Sequence, residues 1–463
     1  MIRQRYPRLV ALGLTLAVIV ALLAFFARAA SAQDFDVPQD STIRLTLGDA
    51  MRLATQLNPM VGSARSRVSA AQSRVTQSRA DLLPNLSASV VERGSTFNSA
   101  ALFPLDFPSA PGQPPLLDRN GSILGPLNVF DARAHVSQTL LDPSALGRIR
   151  GAKTSVRAAD ADVTNASESA GLLAANAYLA VLRADGVYGA RLADSTLAAE
   201  LLRIAQDQLR AGTGVALDVT RARSQLTGAR TQLIVARNDR DRTRVELARA
   251  MGLPLVTLVL VDSLGALPVA AATTEEAALA DAVRGRSDLR SMGLQAQAAR
   301  EQAAAIRNER LPTIGVFADQ GQAYRLGRSS LPTYQWGVQF SLPVFDGFRR
   351  EGRTEEQLAM AQDYEMRERD LRIQVEADVR IALLNLTSST QAVASARERL
   401  QLAEQEVSQA RERFQAGVAG NADVITASLT LNTARTQYVD ALTSYQAARV
   451  ALARARGSIT TID

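Results

Sequence analysis

Two proline-free stretches constrain this chain more than any other feature. One follows Asp142-Pro143 and runs to Gly212; the other follows Asp346-Gly347 and runs to Gly417. Each holds about 70 residues, which as α-helix is roughly 100 Å at ~1.5 Å per residue. No compact domain needs a helix that long. Each ends in a glycine-containing turn and is followed by a returning helical pattern: Val219, Ala222, Leu226, Ala229, Leu233, Ala236 in one, Val424, Ala427, Leu431, Ala434, Tyr438 in the other. Sustained 3-4 spacing is the seam of a coiled-coil hairpin. Arg240 and Thr243 interrupt the first seam, so packing is expected to loosen there.

The two hairpins are copies of one unit. Gly212 through Asp218-Val219 matches Gly417 through Asp423-Val424 at an offset of 205, and Gln138 to Asp142 matches Leu342 to Asp346 at 204. Further upstream, Leu83-Pro84 pairs with Leu311-Pro312 at 228, which places an insertion in the first copy. The proline-rich stretch Phe103 to Pro126 fills it and reads as an exposed loop. Thr46 to Leu83 and Thr274 to Leu311 are helical, and each stops at its Leu-Pro pair. Period-two alternation follows each stop, as in Tyr334, Trp336, Val338, Phe340 against Thr333, Gln335, Gly337, Gln339. Strands are expected at about 85–97, 129–141, 313–324 and 333–345, each with an apolar face that needs a core or lipid beside it. The first repeat spans 33–272 with its hairpin at 143–251; the second spans 273–463 with its hairpin at 347–456.

Composition narrows the function. There is no cysteine, which excludes disulfides, thiolate metal sites and Cys nucleophiles, and His135 is the single histidine, which excludes multi-His metal centres. Aromatics are 5%, too few for base-stacking platforms. An enzyme is disfavoured, and no metal or cofactor is expected. The net charge of +6 invites a nucleic-acid reading. However, Arg3, Arg5 and Arg8 precede an apolar run, Leu9 to Ala27, and Ala30-Ser31-Ala32 supplies a cleavage pattern. Residues 1–32 therefore read as a signal peptide, with an uncleaved anchor as the alternative. Cleavage leaves +2, spread as arginine without a basic patch, so nucleic acid is rejected. No cysteine is present to carry a lipid anchor.

Four strands of this kind cannot close a membrane barrel alone, and open edges in lipid cost several kcal/mol per unpaired backbone group. Two chains would supply eight strands, filled by side chains; three would supply twelve and leave a pore. In its tandem order, its helix–Leu-Pro–strand junctions, Val338 to Phe345 with Asp346-Gly347, and the turn Phe414-Gln415-Ala416-Gly417 through Asp423-Val424, the sequence resembles the TolC-like outer-membrane efflux proteins. The resemblance implies a mainly α fold with a β-barrel part. That fold is a homotrimer with a 12-stranded barrel in outer-membrane lipid, continued by an α-helical barrel across the periplasm. It implies docking to a periplasmic adaptor and, through it, to an inner-membrane pump of RND, ABC or MFS type. The chain would be a passive exit duct for efflux or type I secretion, with no catalytic centre.

The resemblance also assigns residues. Asp423 would face the lumen near the closed periplasmic end, three copies forming a charged ring; the family's second ring falls at Thr426 and is absent here. Asp218 would take part in closed-state links whose usual tyrosine and arginine partners are matched by Phe414 and Ala419, which cannot make them. Arg210, Arg413 and Arg221 are replacements by proximity alone. Gly212, Gly214, Gly417 and Gly420 mark the adaptor-docking turns. From the residues themselves, Asp218 and Asp423 also suit a helix start, His135 a solvated polar face, and Trp336 a lipid-facing or interfacial position. The rival reading is an elongated envelope coiled coil, structural or adhesive, without a pore; four alternating strands are what such a rod does not need.

Overall fold

The computed structural model describes residues 43–98, 123–254, 257–265, 274–325, 331–416, 418 and 420–457, all within one unit beginning at Ile43. The expected signal peptide at 1–32 and most of the proline-rich insertion lie outside these residues. The first repeat contributes β1 (Ile43–Leu45), α1 (Leu47–Leu57), α2 (Pro59–Ala80), β2 (Asn85–Asn98), β3 (Ile123–Leu141), α3 (Pro143–Arg210) and α4 (Ala216–Met251). The second contributes β4 (Leu258–Leu260), α5 (Glu275–Gly285), α6 (Ser287–Asn308), β5 (Thr313–Arg325), β6 (Leu331–Ser341), α7 (Arg349–Gln415) and α8 (Asn421–Ala455). The long helices α3 and α7 hold 68 and 67 residues.

Asp142 opens α3 by accepting hydrogen bonds from the amides of Ser144 (2.8 Å) and Ala145 (3.1 Å), with Pro143 supplying a first-turn position that needs no donor. Although burial works against it, bonds from Ser144 and Ala145 and the charge of Arg148 hold the Asp142 carboxyl below its ordinary range. The matching Asp346 takes a different partner. It receives the backbone N–H and the guanidinium Nε of Arg350, at 3.1 and 2.8 Å, and α7 starts from Phe348 in the left-handed region.

Two corrections concern the shorter helices. Thr46 to Leu83 does not form one helix, because Pro59 restarts it: Asn58 is extended, caps Met60 N–H at 2.9 Å and donates to the Ala250 carbonyl at 2.8 Å. Thr274 to Leu311 breaks at Arg286, also extended, whose guanidinium is held by Asp288 and Asp378. The strands β1 and β4 pair in parallel, outside any alternation visible in the sequence. They are pinned by Asp262, which accepts from Leu47 N–H at 2.8 Å and lies 2.9 Å from the Tyr178 hydroxyl. Around them lies the main core of Leu45, Leu47, Met51, Tyr178, Leu247 and Met251, where the two repeats join.

The antiparallel sheet has the order β2-β3-β5-β6, so the repeats contribute adjacent hairpins. Its register places Leu86, Val136, Ala318 and Trp336 in one cross-strand row, and Ser87, His135, Asp319 and Gln335 in the next. Cross-strand partners share a face, so one face is apolar and the other polar. Gln320 and Gln322 interrupt the apolar face on β5, where Gln320 pairs with Tyr334. On the polar face, His135 Nδ1 lies 2.8 Å from Asp319 Oδ1 and Arg133 pairs with Asp131 at 3.0 Å. Below the sheet, α2 packs on α3, α3 on α6 and α6 on α7. Toward the tips the order becomes α4, α3, α8, α7. The loosening expected on α4 is present: none of its buried residues lies between Ala236 and Leu247. There Arg240 stacks 4.5 Å over Tyr188, and Arg244 binds Asp185 at 3.0 Å.

Candidate functional site

At the far end from the sheet, α3 ends in a turn closed by four backbone bonds. Ala211 N–H donates to Asp207, Gly212 to Leu209, and both Thr213 and Gly214 to Gln208. Gly212 has φ +76°, a conformation that side-chain-bearing residues rarely adopt, with open space around it. Gly214 is fixed by proximity instead, since a Cβ there would lie 3.0 Å from that of Gln208. The apolar side chains at this tip are exposed, Val215 by 58% and Leu217 by 55%, as is Val418 on the second tip by 72%. Gly417 lies outside the described residues; Gly420 precedes α8 as its N-cap.

Asp218 and Asp423 each sit in the first turn of a returning helix, and neither caps it: the caps are Val215 and Gly420, without a side-chain bond. Their contribution to helix initiation is charge near the helix N-terminus. Asp218 is largely covered and 3.8 Å from Arg221, while Asn421 Nδ2 donates to its carbonyl at 2.9 Å. Asp423 is exposed, and its carboxylate has no partner among the described residues. Thr426, exposed one turn on, spends its hydroxyl on the Ala422 carbonyl at 2.9 Å. Phe414 is 3% exposed, in an apolar knot with Leu201, Ile204, Ala205, Ala222 and Val424; its carbonyl accepts from Gln208 at 2.8 Å. Its ring therefore joins the two tips by packing.

None of the three arginines singled out by sequence proximity bridges the hairpins. Arg210 pairs with Asp207 and Arg221 with Asp218, on their own helices, and Arg413 makes no side-chain bond among the described residues. Residues three apart on a helix already meet, so each finds its partner locally. The bridge lies farther along α3, where Asp194, 4% exposed, receives Arg191 at 3.2 Å and Arg435 of α8 at 2.8 Å. The Asn432 amide, with its nitrogen turned to this carboxylate, donates to both oxygens at 2.5 and 3.1 Å. Arg191 also reaches Thr436 at 3.2 Å. Glu200–Arg411 and Arg183–Asp440 add flanking links between the hairpins. Burial pushes the Asp194 carboxyl above its ordinary range, opposed by Arg435 and Arg191. The sequence carried a signal for this site: Asp194, Ala198, Leu201 and Ala205 follow the 3-4 spacing, so an acid occupies a seam position.

Tandem helical hairpins thus hang from one antiparallel sheet and are tied together near tips that expose apolar side chains. The outer membrane efflux protein family matches residues 50–253 and 278–458, and the chain belongs to that family of the outer membrane. No individually curated protein sequence matches it. Among solved structures it is similar to VceC, an outer membrane protein of Vibrio cholerae, with TM-score 0.70, 18% identity, and coverage of 89% of this chain and 96% of that one. It is also similar to the outer membrane channel CmeC of Campylobacter jejuni, with TM-score 0.71, 18% identity and 92% and 91% coverage. The open-state outer membrane channel MtrE of Neisseria gonorrhoeae gives TM-score 0.71, 16% identity and 93% and 98% coverage.

Proposed function

We propose that three copies close a 12-stranded barrel in the outer membrane and a helical tunnel through the periplasm. This assembly serves as the passive exit duct of a tripartite efflux or type I secretion system. The observation that carries the reading is the sheet. Among the described residues its end strands β2 and β6 pair on one side only, and its apolar face exposes Leu86 by 73%, Trp336 by 75% and Val338 by 69%. Lipid suits that face, and only neighbouring copies satisfy those edges. Among the described residues no helix is long and apolar enough to cross a membrane, so the reading rests on the strands. A pore-free coiled-coil rod leaves this sheet without a purpose. Single-channel recording of the purified protein in a planar bilayer tests the duct, and absence of conductance overturns it.

Within this reading Asp423 forms an acidic ring at the periplasmic mouth that attracts cations. Asp423→Ala is expected to raise conductance or relieve block by divalent cations; an unchanged channel would leave Asp423 as a helix-start residue only. The turns at Gly212 and Gly417 are the docking tips for a periplasmic adaptor that connects to an inner-membrane pump, and exposed Val215, Leu217 and Val418 suit such a contact. Gly212→Val forces a β-branched residue into positive φ. Export is expected to fail while trimer yield stays intact. Loss of the trimer instead would mark the turn as a folding element.

A further inference from the structure

A closed ring brings one flank of each copy against the opposite flank of the next. Resting on the ring assembly above, we propose that α2 of one copy docks on α7 of the next through matched rows of charge, Arg74 facing Glu356 and Arg67 facing Asp363.

The two helices are the ends of the four-helix layer beneath the sheet. The end helix α2 buries only a narrow stripe, Val61, Ala64, Ala71 and Val75, and its 22 residues include Arg65, Arg67, Arg74 and Arg79 but no acid. Among the described residues none of these arginines meets a carboxylate; Arg67 reaches only the Ser63 hydroxyl, at 3.5 Å. With no acid of its own, α2 presents an uncompensated row of positive charge along this flank. The opposite end helix α7 buries Arg350, Ala361, Val375 and Val379, and its far face carries Glu356, Asp363 and Asp370. Spaced by seven residues, these three carboxylates stack in one row. Glu356 has no partner among the described residues, and Asp363 meets only the exposed Arg367 one turn away.

The heights agree. Helix α2 runs toward the sheet and ends at Ala80, whereas α7 leaves it from Arg349, so the two are antiparallel. Arg74 is six residues from the sheet end of its helix and Glu356 seven; Arg67 is thirteen and Asp363 fourteen. At ~1.5 Å per residue each pair meets at one level, about 10 and 20 Å below the helix ends. Arg67 and Arg74 open onto the same cleft of about 640 Å³ that Met360, one turn from Glu356, lines from the other end. The rows therefore emerge on one face of the layer. Between them, Ala70 on α2 and Ala359 on α7 are exposed and small enough for close approach.

The test uses the full-length protein in detergent, with oligomer mass read by native mass spectrometry and helix content by circular dichroism. Arg67→Glu with Arg74→Glu, or Glu356→Arg with Asp363→Arg, is expected to lower the trimer about tenfold or more, because facing like charges disfavour a partner strongly. The fourfold exchange restores it. Because the chain has no cysteine, Ala70→Cys with Ala359→Cys gives an independent reading: oxidation is expected to join two and three chains on a denaturing gel. Wild-type trimer with reversals that leave it unchanged, a fourfold variant that stays unassembled, or no cross-link would overturn the seam while the ring stands. A monomeric wild-type protein would instead overturn the ring itself.

Discussion

Asp194→Ala is expected to melt well below the wild type, with a loss of about 3 kcal/mol from the pairing of the two hairpins. Asp194 is 4% exposed and receives Arg191, Arg435 and Asn432 at once. Removing one partner of a buried ionic cluster leaves the remaining charges uncompensated, which costs about 3–5 kcal/mol. The lower end applies because Arg191 and Arg435 retain some access to water, at 20% and 24% side-chain exposure. Thermal melting followed by circular dichroism measures the loss, and an unchanged melting temperature would show that Glu200–Arg411, Arg183–Asp440 and the Phe414 knot hold the hairpins without it. Asp194→Asn adds a pH dependence. Burial raises the Asp194 carboxyl, against Arg435 and Arg191, so the folded chain holds a proton that the unfolded chain has already released. Wild-type stability from this group therefore rises as the pH falls from neutral toward the ordinary carboxylate range. The Asn variant lacks that proton, so its stability relative to wild type declines as the pH falls toward the ordinary carboxylate range.

Val338→Lys is expected to abolish most barrel assembly, whereas Gln339→Lys, one residue on, is tolerated. Val338 pairs with Val316 on the apolar face and is 69% exposed in the single chain; Gln339 pairs with Gly315 on the polar face. A lysine on the lipid side of a barrel costs about 2–4 kcal/mol near the bilayer midplane, while the same charge inside a water-filled lumen costs little. At about 1.4 kcal/mol per tenfold, that is enough to deplete the assembled form. Heat-modifiable migration of outer-membrane protein on a gel separates the outcomes. Equal tolerance of both lysines would mean that the apolar face does not meet lipid.

The long helices, the four alternating strands and the tips were legible because each depends on local order: proline spacing, a 3-4 seam, a period of two and glycine turns. The two helix breaks were less so. At Asn58 the proline was visible, yet the anchor that sets the bend is the Ala250 carbonyl, 192 residues away. At Arg286 the local signal is Gly285, which closes α5, yet the bend is held by Asp378 on another helix. The pairing of β1 with β4 was invisible for a different reason, since three-residue strands have too little alternation to register. His135 stands on the polar face with its side chain 42% exposed, as the alternation implies; its bond to Asp319 is set by the register of β3 against β5 and is not legible locally.

The sequence by itself determined that this chain is a duplicated helical hairpin with strands, free of cysteine and nearly free of histidine, and suited to form a wall. Those properties follow from periodicity and composition, which act over a few residues at a time. Tertiary structure alone decided which charges tie the hairpins together. Arg210 and Arg221 found carboxylates one turn away on their own helices, and the tie fell to Asp194 and Arg435, brought to 2.8 Å across 241 positions by the packing of α3 against α8. An ion pair is fixed by distance in space, and distance between helices is set by the seams that pack them.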